Sequence, residues 1–110
     1  MAGQGEGKII FMTPPKYPSV DRNQQEVIDA LRCAGYLVTD IHTLGKGRPD
    51  LLVSKYRNLY LVEVKTRDGK LTEDEREFIK DGWPVIIAYS GQDAIDKLHE
   101  AQELRMEIGY

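Results

Sequence analysis

The residues best suited to chemistry lie in two short strings, Gly47-Arg48-Pro49-Asp50 and, thirteen positions after Asp50, Glu63-Val64-Lys65. Asp50 opens the apolar run Leu51-Leu52-Val53, and Glu63 and Lys65 close the run Leu59-Tyr60-Leu61-Val62. Apolar runs of this length bounded by turn formers read as strands. Side chains alternate across a strand, so Glu63 and Lys65 point to the same face. A carboxylate and an ammonium at the end of a buried strand are costly to desolvate unless they are used. Asp50, from the neighbouring strand, completes a set of two carboxylates and one lysine at a common sheet end. Such a set can hold Mg²⁺ and organise attack on a phosphodiester.

The elements that must position this set can be read around it. A helix is expected from near Asp21 to Gly35, with Val27, Ile28, Leu31 and Ala34 as its apolar stripe and Gly35 as its stop. Tyr36 to His42 reads as the first strand, and Thr43 to Arg48 as a turn. Asp50–Lys55 and Leu59–Thr66 form a hairpin joined through Tyr56-Arg57-Asn58. Thr72 and Glu75 make a capping box that starts a second helix over 72–81. Trp83 to Tyr89 is the last strand. Asp93 to Arg105 is the last helix, with Ala94, Ile95, Leu98, Ala101 and Leu104 on one face. The order is α-β-β-β-α-β-α, an α/β chain with a mixed central sheet flanked by helices. Ahead of it, the Gly-rich residues 1–8, the apolar patch Ile9-Ile10-Phe11-Met12 and the Pro-rich stretch 13–18 are expected to form a mobile or partner-packing segment. Residues 1–19 are therefore set apart from a domain at 20–110.

A chain of 110 residues makes one domain with its own core. No apolar run approaches the ~20 residues that span a bilayer, and the N-terminus has no apolar signal core, which points away from a membrane and from export. Cys33 is alone, so no internal disulfide forms; it reads as a small semi-buried thiol in a reducing cytosol. His42 and His99 read as a strand-end polar residue and a solvent-facing helix residue, with no zinc-site spacing. The net charge of −3 argues against a general nucleic-acid coat, but the distribution is uneven. Residues 46–70 carry a net +4 and residues 71–110 a net −6. The basic segment is the one that holds the acids and the lysine. A basic rim made by Lys46, Arg48, Arg67 and Lys70 around an acidic pocket suits a phosphate-backbone substrate.

Gly47-x-Pro49-Asp50, Glu63-x-Lys65 on the next strand and Gly69-x-Leu71-Thr72 opening a helix together resemble the PD-(D/E)XK nuclease superfamily. Within it the chain is most similar to the compact, phage-type VRR-NUC domain, a relative of archaeal Holliday-junction resolvases. The Val/Ile-rich last strand, the polar turn Ser90-Gly91-Gln92-Asp93 and the helix opened by Ala94-Ile95 fit the same family over residues 20–105. The resemblance implies a restriction-endonuclease-like core. It implies that Asp50 and Glu63 ligate Mg²⁺ or Mn²⁺ with the backbone carbonyl of Val64. Lys65 would orient the attacking water or stabilise charge on the scissile phosphate. It further implies branched or flapped DNA as substrate, a bacterial or phage-encoded protein of the cytoplasm and, since a symmetric double cut needs two sites, a homodimer.

Two positions depart from the family pattern. Relatives often carry a Glu early in the first helix where this chain has Gln24, which shares a face with Val27, Ile28 and Leu31 and so points toward the sheet. Relatives also often carry a Gln early in the second helix, where this chain has Glu75. The exchange would move a carboxylate from one helix to the other, or leave Glu75 as a capping residue only. Asp21, one turn before Gln24, is a second candidate for the missing acid. A non-catalytic DNA-binding or partner-binding module that keeps the fold is the competing reading.

Overall fold

The computed structural model describes residues 20–107; the segment 1–19, expected to be mobile or partner-packing, lies outside the described residues. The elements are α1 (Val20–Cys33), β1 (Leu37–Asp40), a 3₁₀ turn (His42–Leu44), β2 (Leu51–Lys55), β3 (Asn58–Val64), α2 (Glu73–Lys80), β4 (Val85–Ala88) and α3 (Gly91–Glu107). The strands form one sheet in the order β1-β2-β3-β4. The first two pairings are antiparallel and the third, β3 with β4, is parallel. The α-β-β-β-α-β-α order and the mixed sheet read from the sequence are both present.

One face of the sheet is the core face. Val38, Leu51, Val53, Tyr60, Val62, Val64 and Ala88 bury against Val27, Ile28 and Leu31 of α1 and Ala94 and Leu98 of α3. The two helices touch each other where Gly91 meets Ala30: a Cβ on Gly91 would lie 2.5 Å from the Ala30 methyl, so only glycine fits there. Strand alternation then sends Asp50, Glu63 and Lys65 to the opposite face. Toward that face, at one end, α2 brings Glu75 to Lys65. Elsewhere on that face Leu37, Leu52 and Leu59 line a shallow cleft among the described residues.

Several boundaries move for local reasons. The first strand stops at Asp40, because its carboxylate accepts from the His42 N–H at 2.9 Å and turns the chain into the 3₁₀ turn. The hairpin loop has two residues, not three: Lys55 pairs with Asn58, and Tyr56 and Arg57 both take positive φ, 52° and 67°. That is the conformation a tight primed turn demands. The last strand begins at Val85 and α3 at Gly91, where the Ser90 hydroxyl accepts from the Asp93 N–H. Leu104, expected on the buried stripe of α3, is 56% exposed and lines an open cleft beside the last strand. Cys33 is exposed rather than semi-buried, since it sits at the last turn of α1 off the Val27–Leu31 stripe. Among the described residues no helix is long and apolar enough to cross a membrane.

Candidate active site

Asp50 sits just before β2, after buried Pro49, and one of its carboxylate oxygens accepts from the Val64 N–H at 2.8 Å. This bond continues the β2–β3 ladder one step past its last backbone pair, Leu51 with Val62. It also locates the Val64 carbonyl, because a strand residue's N–H and C=O point to the same side. Glu63 is 4% exposed, the most deeply buried charged-type side chain among the described residues. Lys65 follows β3, its N–H donating to the Ala88 carbonyl at 2.9 Å, so its backbone is tied to β4. Its ammonium lies 3.5 Å from Glu63 and 2.8 Å from Glu75.

Glu75 belongs to the capping box of α2. The Thr72 hydroxyl accepts from the Glu75 N–H at 3.1 Å, and Glu75 Oε1 accepts from the Thr72 N–H at 2.8 Å. The carboxylate that caps the helix thus also meets Lys65. The loop before Asp50 helps hold α2 in this position. Gly45, Lys46 and Gly47 take successive positive φ values of 64°, 53° and 80°. A Cβ on Gly47 would lie 2.4 Å from the Asp74 carbonyl group, so the loop backbone is pressed directly on the first turn of α2.

The electrostatics follow from this crowding. Burial is the largest influence on Glu63 and pushes its pKa up to about 8, helped by a shared hydrogen bond with Glu75 and by the nearby Asp50 and Glu75 charges; Lys65 opposes the shift. Burial likewise raises Asp50, against the Val64 N–H and Lys65, which lower it. Glu75 is half-buried, which pushes its pKa up, yet its hydrogen bonds to Glu63, Lys65 and Thr72 hold it below the usual carboxylate value. The low-energy arrangement places a proton on Glu63 and pairs the Glu75 anion with the Lys65 cation. A divalent cation beside such a buried carboxyl group would favour its ionised form. Among the described residues no three His, Cys, Asp or Glu side chains gather so as to hold a metal alone. Asp50, Glu63 and the Val64 carbonyl are the oxygen donors at this end of the sheet that could serve such an ion.

Gln24 makes no contact with Glu63 or Lys65 that the structure shows. It lines a shallow cleft with Asp21, Gln25, Ile28, Asp40 and His42, and hydrogen-bonds Asp40; the cleft adjoins the site, since the His42 and Asp50 charges interact. Asp21, the alternative acid, is exposed in that same cleft. His42 pairs with Asp40 at 2.6 Å, and that carboxylate, hydrogen-bonded to the ring, raises its pKa. The residue of α1 that does reach the site end is Asn23, which the motif reading missed. It is 2% exposed and donates from Nδ2 to the Lys65 carbonyl at 2.8 Å and to the Tyr89 carbonyl at 3.2 Å. A signal was present, since Asn23 stands one turn before Val27 on the stripe that must be buried. Lys46 and Arg48 are exposed on the loop beside Asp50, and Arg67 and Lys70 are exposed between β3 and α2.

A mixed sheet with two acids and a lysine gathered at one end defines a nuclease-type domain of the PD-(D/E)XK class. Residues 16–82, more than half of the chain, match the VRR-NUC domain, and the chain belongs to that family. It is a nuclease-type domain, with DNA as its substrate class. No curated protein and no solved structure matches the chain.

Proposed function

We propose that the domain is a Mg²⁺- or Mn²⁺-dependent endonuclease that hydrolyses phosphodiester bonds in structured DNA, a four-way junction or a flap. The observation that carries this reading is the buried, proton-holding Glu63 beside Asp50, with the Lys65 ammonium 3.5 Å away. Asp50, Glu63 and the Val64 carbonyl would hold the metal, which when bound polarises a phosphoryl oxygen and lowers the pKa of its water. Lys65 orients the attacking water or stabilises charge that develops on the phosphate. Glu75 keeps Lys65 protonated and fixes where its ammonium stands. Lys46, Arg48, Arg67 and Lys70 contact the backbone of the DNA, supplying affinity without reading sequence.

The basic side chains bordering the site are suited to phosphates, so shape and backbone contacts dominate recognition by this domain. Two symmetric cuts need two sites, and a homodimer supplies them. The last strand and helix support such an interface: Leu104 and Ala101 of α3 and Val85, Ile86 and Ile87 of β4 line a cleft that Lys97 and Glu100 border.

Cleavage of labelled linear, flapped and four-way DNA with Mg²⁺, Mn²⁺ or a chelator tests the proposal. Metal-dependent cutting of the branched forms, lost in Asp50→Ala, is the expected result. Tight binding with no cutting under any metal would establish the non-catalytic module instead.

A further inference from the structure

The rings of Phe78, on α2, and Trp83, between α2 and β4, stack with centroids 5.3 Å apart and planes 9° apart. Trp83 is 53% exposed, and neither ring belongs to the core. The Arg48 guanidinium lies 6.0 Å from the Phe78 centroid on the loop that leads to Asp50. These three side chains, with Lys46, Asp74, Glu77 and Asp81, line an open cleft of about 460 Å³. The cleft shares a wall with the acid–lysine site, because Gly47 is pressed on Asp74 and Asp74 precedes Glu75.

A half-exposed tryptophan is an uncommon use of the largest apolar side chain. The charges of the cleft identify what it accepts. Three carboxylates against two cations disfavour a phosphate inside it. Carboxylates do accept hydrogen bonds from the exocyclic amino groups of bases. A flat aromatic face beside them offers stacking, which is open to a base only when it has left the duplex. We infer that the Phe78–Trp83 stack is a platform for an unpaired base of the DNA substrate, with Lys46 and Arg48 at its rim guiding the adjoining backbone toward Asp50 and Glu63. The inference rests on the nuclease reading of the neighbouring site, and it specifies the feature of structured DNA that is recognised: an unstacked base next to the scissile strand.

Trp83 is the only tryptophan of the chain, so its fluorescence reports the platform directly. The full chain carrying Asp50→Ala, which should not cleave, is titrated with a duplex bearing a single-stranded flap and with the same duplex without it. The flapped DNA should quench Trp83 emission and the blunt duplex should not. In parallel, anisotropy of labelled DNA should show Trp83→Ala weakening flap binding by about five- to a hundredfold, the range of one base–aromatic stack, with less than about a twofold change for the blunt duplex. Trp83→Phe should retain most of the affinity, which separates stacking from a folding defect. DNA binding without quenching, or undiminished flap affinity in Trp83→Ala, overturns the platform while leaving the nuclease reading intact. Failure of the unsubstituted chain to bind or cut either DNA overturns both.

Discussion

Glu75 Oε1 stands 2.8 Å from the Lys65 ammonium while also accepting the Thr72 N–H at 2.8 Å. One carboxylate oxygen therefore joins the start of α2 to the end of β3, and the cap of a helix is also the anchor of the lysine beside the acids. Glutamate does what glutamine could do for the cap and adds a charge that glutamine lacks.

Glu75→Gln separates the two roles. The cap survives, so any fall in melting temperature should reflect the lost Lys65 contact alone. Lys65 loses a charge-assisted partner of about 1.5–3 kcal/mol, and cleavage should fall by roughly ten- to a hundredfold. Adding Gln24→Glu should not restore activity, because Gln24 hydrogen-bonds Asp40 and does not contact Lys65, the partner that Glu75 serves. Rates of the single and double variants decide this, and recovery in the double variant would contradict the placement of Gln24.

Asp50→Asn and Asp50→Ala should both abolish cleavage, but they should differ in stability. Asparagine keeps an acceptor for the Val64 N–H while removing a charge that burial disfavours, so the metal-free protein should be as stable as the parent or more so. Alanine leaves that N–H without its partner, and Asp50→Ala should be less stable than Asp50→Asn by roughly 1–3 kcal/mol. Urea unfolding of the metal-free variants measures the difference. Full activity with Mg²⁺ in either one would remove Asp50 from the site.

Glu63 makes the metal-free protein sensitive to pH. Its folded pKa, about 8, is raised above the ordinary 4.5, so folding favours the protonated form. Its contribution to stability is complete below about pH 4.5 and is lost as pH rises through about 8. Metal must displace this proton, so affinity for Mg²⁺ or Mn²⁺ should rise with pH up to about 8 and then level. Calorimetric titration in two buffers of different ionisation heat should reveal proton release near pH 7. A metal affinity that does not vary between about pH 6 and 8 would show that Glu63 is not a ligand.

Lys65→Ala should lower the cleavage rate far more than DNA affinity, since its ammonium is held among the acids rather than on the rim. Lys46→Ala and Arg48→Ala should weaken binding and each reduce the slope of log affinity against log salt by about one. Single-turnover rates and salt titrations distinguish the two patterns. A Lys65→Ala variant that loses only affinity would make Lys65 another backbone contact.

Much of this arrangement was legible in the residues. The apolar runs Leu51–Val53 and Leu59–Val62 marked two strands, and strand alternation, which is local geometry, set Glu63 and Lys65 on one face with Asp50 at the same sheet end. The Thr72–Glu75 cap was legible for the same reason: it closes within four residues, and both of its hydrogen bonds are present. The tertiary structure decided what Glu75, Gln24 and Asn23 do, since each depends on where a helix lies over the sheet. Glu75 reaches Lys65 from a helix whose first turn packs directly on the Gly47 loop, a contact between segments far apart in sequence. A small rotation of α1 about its axis buries Asn23, not Gln24, against the ends of β3 and β4. The periodicity of a helix defines a stripe about a third of its circumference wide. Which polar residue at the edge of that stripe is enclosed is settled by packing, through the two carbonyls, of Lys65 and Tyr89, that Asn23 satisfies and Gln24 does not reach.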